Sequence, residues 1–156
     1  MGGGRKRMKI LIDADGCPVV ELTLQIARRF NIEVCILCDT SHRIEREGAE
    51  TITVSKGADA VDFVLINKVE PGDIVVTQDY GLAAMVLSKK GYPIHQNGML
   101  YTDDNIEQLL WTRHLAKEAR RQGGHLKGPK KRHHEKDVVF EKNLTELIQG
   151  CLGTSF

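Results

Sequence analysis

The chain has 156 residues, and its 22 Lys+Arg against 21 Asp+Glu leave a formal net charge of +1, a balance that excludes both a histone-like polycation and an acidic buffer. At this length one domain is expected, and 41% hydrophobic with 28% charged residues suits a chain able to bury a core. Aromatic residues make up only 5%, too few to favour a platform that stacks successive bases.

The near-neutral total hides two opposite segments. Residues 8–112 hold 9 basic and 16 acidic side chains, net −7, whereas residues 113–142 hold 10 basic and 4 acidic, net +6. No apolar run approaches the roughly 18 residues of a membrane helix, and the opening MGGGRKR lacks the apolar region of a signal peptide, so a cytoplasmic location is expected. Residues 1–7 read as a flexible leader, residues 8–149 as a single domain and residues 150–156 as a tail. Cys17, Cys35, Cys38 and Cys151 are too sparse and irregular for a disulfide framework, so reduced thiols are expected.

Along the chain, MKILI (8–12) is a short apolar run that reads as a buried strand ending at Asp13, followed by a Gly-Cys-Pro turn at 16–18. Val19, Leu22, Ile26, Ala27 and Phe30 recur at helical spacing, and Ile32 to Cys38 is a second buried strand. Glu50 to Val54 alternates as a third strand, and Ala58 to Val69 regains helical periodicity before the Pro71-Gly72 turn. Asp73 to Thr77 predicts a fourth strand, Tyr80 to Lys89 a helix closed by Gly91, and Tyr92 to His95 a short fifth strand. Residues 104–121 read as a longer helix, 122–136 as a Gly-, Pro- and cation-rich loop, and Asp137 to Gln149 as a last helix. Alternating strands and helices with short connections predict an α/β fold with a mainly parallel sheet covered on both faces.

In such sheets ligands sit beyond the carboxyl ends of the strands, near the point where strand order reverses. Asp13 and Asp15 follow the first strand at a spacing of two, which puts both on one side if the chain stays extended, and Asp79 holds the matching place after the fourth. Asp59 and Asp62, three apart at a helix start, share a face, and Asp103 with Asp104 precedes the next helix. Each acid at a helix start also has an ordinary reading as a cap. The pair Asp13 and Asp15 has no such reading apart from turn formation at Gly16. Like charges gathered this closely call for a hard divalent cation with oxygen ligands, with Asp13 and Asp79 as direct ligands and Asp15, Asp59, Asp62 and Asp103 as further members.

An acidic site repels a polyanion, so such a site would need cations nearby to act on nucleic acid. Arg113, Lys117, Arg120 and Arg121 recur at three and four on one helix, and Lys130, Lys131 and Arg132 follow in the loop. They are candidate phosphate-binding residues, read against the alternative of a solvated face. Cys35 and Cys38, inside a strand, face opposite ways and are expected to be buried apolar residues, with Cys17 packing beneath the acids.

The stretches IDADGCPV (Ile12 to Val19), GADAVD (Gly57 to Asp62) and VTQDYGLA (Val76 to Ala83), the pair Asn97-Gly98, and the late Gly128-Pro129 with Phe140 resemble the YaiI/YqxD family of PIN-like domains over about Met8 to Ile148. The resemblance implies a PIN-like three-layer α/β/α sandwich. By relation to PIN nucleases it also implies an acidic cluster holding Mg²⁺ or Mn²⁺ for phosphodiester hydrolysis, with RNA expected before DNA. PIN nucleases place a Glu on the helix after the early strands; here Asp59 or Asp62 takes that place. Two other readings stay open. D-x-D-G after an apolar strand is also similar to the start of haloacid-dehalogenase-type phosphatases, with Asp13 as nucleophile. A PIN-like module can also bind RNA or protein without catalysis.

Overall fold

The computed structural model describes residues 7–40, 45–55, 60–121 and 132–153, with Arg120 and Arg121 described by backbone only. The first strand, β1 (Lys9–Asp13), has Ile10, Leu11 and Ile12 fully buried, so both of its faces are covered. This explains why it reads as a continuous apolar run rather than an alternating one. The chain then forms α1 (Val20–Arg29), β2 (Glu33–Asp39), β3 (Glu50–Val54), α2 (Ala60–Lys68), β4 (Ile74–Val76), α3 (Tyr80–Ser88), β5 (Tyr92–Ile94), α4 (Ile106–Arg121) and α5 (His134–Gly153).

The five strands make one sheet in the order β3-β2-β1-β4-β5, and every pairing is parallel. Alternation along each strand sends side chains to two cores. Ile10, Ile12, Ile36 and Val76 join Leu24 and Ile26 of α1 with Phe140, Leu144 and Ile148 of α5 on one face. Leu11, Leu37 and Val75 join Val61 and Leu65 of α2 with Leu82 and Val86 of α3 on the other. The fold is therefore a three-layer α/β/α sandwich, with α4 packed on α3 through Ala83, Tyr101, Ile106 and Leu109. Cys35 and Cys38 fall in opposite cores, as their spacing within a strand requires, and neither is in a disulfide.

Several boundaries differ from the sequence reading. β2 runs on through Asp39, because its ladder with β3 pairs Asp39 with Val54. α5 begins three residues before the expected Asp137 and continues through Gly150 to Gly153. The glycine does not end the helix, whose sequence still offers Cys151 and Leu152 beyond it. The pair Asn97-Gly98 is a docking device for this helix. Gly98 has φ +96 and lies so close to the Val139 backbone that a Cβ would sit 3.0 Å from it, while Asn143 donates to the Gly98 carbonyl at 2.8 Å. Among the described residues no helix is long and apolar enough to cross a membrane.

The chain steps outward from β1 to β2 and β3, then returns to the other side of β1 for β4 and β5. Strand order thus reverses between β1 and β4, so the place to look for a ligand lies beyond Asp13 and Val76.

Candidate functional site

A cleft of about 610 Å³ opens at that point, lined by Asp13, Asp15, Asp39, Asp62 and Asp79, with Gln78, Tyr80 and Arg113 among its other residues. β1 delivers Asp13 at its last position, and Ala14 extends the ladder by one bond to Leu37. The chain then turns, with Gly16 at φ +71 and Cys17 N–H bonded to the Ala14 carbonyl at 3.0 Å, which keeps Asp15 on the cleft. The carboxylate of Asp15 accepts from the Asp39 backbone N–H at 3.3 Å, tying the ends of β1 and β2 together.

Thr77, 2% exposed, connects β1 to β4. Its hydroxyl donates to Asp13 Oδ2 at 2.8 Å and accepts from the Asp79 N–H at 3.0 Å, while its carbonyl accepts from the Tyr101 hydroxyl at 3.0 Å. Burial and the neighbouring acids Asp13 and Asp79 hold the Tyr101 phenol well above its ordinary range, so it stays protonated as the donor. Asp79 caps α3, its Oδ1 accepting from Gly81 N–H at 2.9 Å and Leu82 N–H at 3.2 Å. Arg113 approaches the same oxygen, Nη1 to Oδ1, at 3.5 Å. These contacts all fall on Oδ1, which leaves Oδ2 as the oxygen a ligand can take.

The electrostatics of Asp13 are unusual for a surface cleft. Burial pushes its carboxyl up to about 6; the Thr77 hydrogen bond opposes the rise, and the charges of Asp79 and Asp15 add to it. Burial is thus the main reason this carboxyl resists ionisation, and its acidic neighbours add to it. Cys17 packs against the core beneath the acids, and burial lifts its thiol to about 11, far from the thiolate a nucleophile needs.

Of the acids read from sequence, Asp13, Asp15, Asp62 and Asp79 meet in the cleft, whereas Asp59 lies outside the described residues. Asp103 is exposed and does not line the cleft. It sits in the turn entering α4, where Asn105 N–H donates to Thr102 Oγ1 at 3.2 Å and Thr102 N–H to Asn105 Oδ1 at 2.9 Å, a reciprocal cap that an acid favours electrostatically.

Of the cations, Arg113 lines the cleft with Thr112 and Ala116 of the same helix face, and Lys117 is exposed one turn further along. Arg120 and Arg121 continue the helix, and Lys130 and Lys131 lie outside the described residues. Arg132 is committed elsewhere. Its guanidinium binds Asp137 at 2.6 Å, Asn97 Oδ1 at 2.9 Å and the Gln96 carbonyl at 2.8 Å, clasping the start of α5 to the loop after β5.

Sequence reading missed Asp39 and Thr77. Asp39 ends the apolar run ILCD just as Asp13 ends KILID, a parallel that was available in the sequence. Thr77 gave no signal of its own, because a Thr after a strand has no distinctive spacing.

Residues 11–150 match the model of a family described as "Uncharacterized BCR, YaiI/YqxD family". The chain belongs to the YaiI/YqxD family. A UPF0178 protein of Exiguobacterium sibiricum is 55% identical over 141 residues, covering 90% of this chain and 96% of that protein. Another from Clostridium acetobutylicum is 50% identical over 143 residues, 90% of this chain and 97% of that one, and one from Natranaerobius thermophilus is 44% identical over 142 residues. No solved structure matches the chain. These names carry no activity, so the chemistry of this YaiI/YqxD member must be argued from the cleft.

The PIN-like resemblance implies Mg²⁺ or Mn²⁺, and the cleft tests that implication. Among the described residues no three carboxylates, imidazoles or thiols converge as a ready-made metal cage. The donors present are hard oxygens, among them Asp13 and Asp79 on neighbouring strand ends, where Thr77 links the Asp13 carboxylate to the Asp79 backbone N–H. That donor set fits Mg²⁺, which keeps several waters and uses one or two carboxylates together with substrate phosphate oxygens. It does not fit zinc, which favours nitrogen and sulfur ligands.

Proposed function

We propose that the cleft hydrolyses phosphodiester bonds in RNA with the help of a divalent cation. The observation that carries the reading is the charge at the switch point. Asp13, Asp15, Asp39, Asp62 and Asp79 line one cleft there, burial raises the Asp13 carboxyl to about 6, and Arg113 lines the same cleft beside Asp79. Asp13 and Asp79 would hold Mg²⁺ or Mn²⁺, which when bound supplies charge for a phosphoryl oxygen and acidifies water. The chain's own part is positional. Thr77 fixes the Asp13 carboxylate, the α3 cap fixes Asp79, and Asp15 is held by the end of β2. Arg113 meets phosphate with a planar pair of donors, and Lys117 extends the positive charge along the same helix. Asp62, reaching in from the first turn of α2, faces the cleft where a water could be oriented.

The test is cleavage of a 5′-labelled single-stranded RNA by the purified chain with Mn²⁺ or Mg²⁺. Cleavage should fall at least about 100-fold in Asp13→Asn and in Asp79→Asn, the scale on which removal of electrostatic stabilisation acts. No cleavage of RNA or DNA with any divalent metal would overturn the reading. Retained RNA binding in Asp13→Asn without cleavage by either protein would favour a binding module, and a phosphorylated Asp13 detected by mass spectrometry would favour a phosphatase.

A further inference from the structure

We propose that Arg113 acts as a resident counter-cation. It stands beside Asp79, competes with a divalent cation for that carboxylate, and on yielding it becomes free to take a substrate phosphate. The inference rests on the cleft reading above and adds a competition between two cations for one carboxylate.

Three observations support it. First, the Arg113 guanidinium stands 3.5 Å from Asp79 Oδ1, beyond a tight hydrogen bond, and its side chain is 45% exposed against 31% for Asp79. An ion pair this loose and wet is held weakly. Weakness is what an exchangeable occupant requires, and a bidentate, buried pair would have locked the cleft.

Second, Asp79 Oδ1 already accepts two backbone N–H groups at the start of α3. The carboxylate is therefore fixed by the helix and does not follow Arg113 when it leaves. The mobile partner is the arginine, whose long side chain reaches across from α4.

Third, the chain makes room for this approach. A Cβ at Gly81 would lie 3.3 Å from Asp79 Oδ1 and 3.4 Å from Arg113 Nη1. Gly81 shows no left-handed φ, so backbone conformation does not call for glycine there. The space beside its Cα is used by the guanidinium.

A guanidinium that leaves Asp79 without leaving the cleft carries its charge towards the substrate. It keeps five donors on a plane, the geometry suited to a phosphodiester. One side chain would then suppress the repulsion among carboxylates in the empty site and supply the phosphate contact in the loaded one.

The test measures Mn²⁺ binding by the full chain without nucleic acid, from the free Mn²⁺ signal in electron paramagnetic resonance. Arg113→Gln should bind Mn²⁺ about two- to fivefold more tightly than wild type, the range a partly exposed ion pair allows. The Mn²⁺-saturated variant should bind a 2′-O-methyl oligoribonucleotide more weakly than wild type by at least about fivefold. Lys117→Gln removes the same charge one turn away and should leave Mn²⁺ affinity within twofold. Unchanged or weaker Mn²⁺ binding in Arg113→Gln would overturn the inference, as would equal tightening in Lys117→Gln, which would mark a long-range charge effect. Asp79→Asn separates the two levels. If it abolishes Mn²⁺ binding while Arg113→Gln has no effect, the cleft reading stands and the competition falls. If neither wild type nor Arg113→Gln binds Mn²⁺, the competition falls, and RNA cleavage decides the cleft reading separately.

Discussion

The two ends of the β1–β4 pair carry the same chemistry arranged for opposite purposes. At the amino end, β1 supplies Lys9 and the chain entering β4 supplies Asp73; at the carboxyl end, β1 supplies Asp13 and the chain leaving β4 supplies Thr77. Asp73 is 2% exposed, bound by the Lys9 ammonium at 2.7 Å and by the backbone N–H groups of Glu70 and Lys9 at 2.9 and 3.1 Å. Asp13 has a hydroxyl at 2.8 Å and acidic neighbours. One carboxylate is held by a buried counter-charge and the other by a hydroxyl beside further acids. A cavity of about 1020 Å³ also opens at the compensated end, lined by Asp73, Glu70 and Tyr92 among others.

Breaking the amino-terminal pair should have the largest effect. Asp73→Asn leaves the Lys9 ammonium, 21% exposed, without its counter-charge and weakens two backbone contacts. Loss of roughly 3 kcal/mol is expected, at the low end for a disrupted buried pair because Lys9 retains some water. It would be measured as a fall in the urea midpoint with an unchanged slope. A loss below about 1 kcal/mol would show that the two ends are not differently built.

The opposite sign is expected at Asp13. Its carboxyl rises from 3.8 to about 6 on folding, so the folded state holds its proton more tightly than the unfolded one. Between those values the unfolded chain ionises first and stability falls as pH rises; above about 6 the penalty is complete, and below 3.8 it vanishes. Asp13→Asn removes the penalty and should stabilise the chain by about 1–2 kcal/mol at pH 7.5, less than the full shift because the amide is itself desolvated. The gain over wild type should shrink as pH drops from 6 to 4. Equal stability of the two proteins at pH 7.5 would contradict the uncompensated state of Asp13.

This contrast was only half legible in the sequence. The parallel sheet could be read, because residues 10–12, 34–37 and 74–76 are buried on both faces and therefore continuously apolar. The acids at the carboxyl ends could be read as a group for the same reason, since each apolar run stops at or just before one. What could not be read was which acids are neutralised. Asp73 and Asp79 flank the same strand, and only the register that sets Ile10 against Ile74 places Lys9 beside the first. Asp103 lies in the exposed turn before α4, outside the cleft, and Arg132 is held by Asp137, Asn97 and the Gln96 carbonyl, contacts that spacing does not reveal. Asp39 was lost to one residue of strand length.

The smallest expected effect concerns how tightly each end is packed. At the amino end, a Cβ on Gly91 would meet Val86 Cγ1 at 2.7 Å and the Asp73 carbonyl at 3.2 Å, contacts with groups that have little freedom to retreat. At the carboxyl end, the Cβ of Gly81→Ala would press on Asp79 Oδ1 and Arg113 Nη1 at 3.3 and 3.4 Å. Of these two atoms the guanidinium, at the end of a partly exposed side chain, can yield by a few tenths of an ångström. The helix-propensity gain of alanine, up to about 1 kcal/mol in an interior position and less in a first turn, offsets the crowding. Gly81→Ala should therefore leave the urea midpoint almost unchanged, within about 0.5 kcal/mol, while shifting Mn²⁺ affinity in the same direction as Arg113→Gln by less than twofold. A loss of 2 kcal/mol would mean that Arg113 is held as rigidly as Lys9, and the carboxyl end would then be as closed to exchange as the amino end.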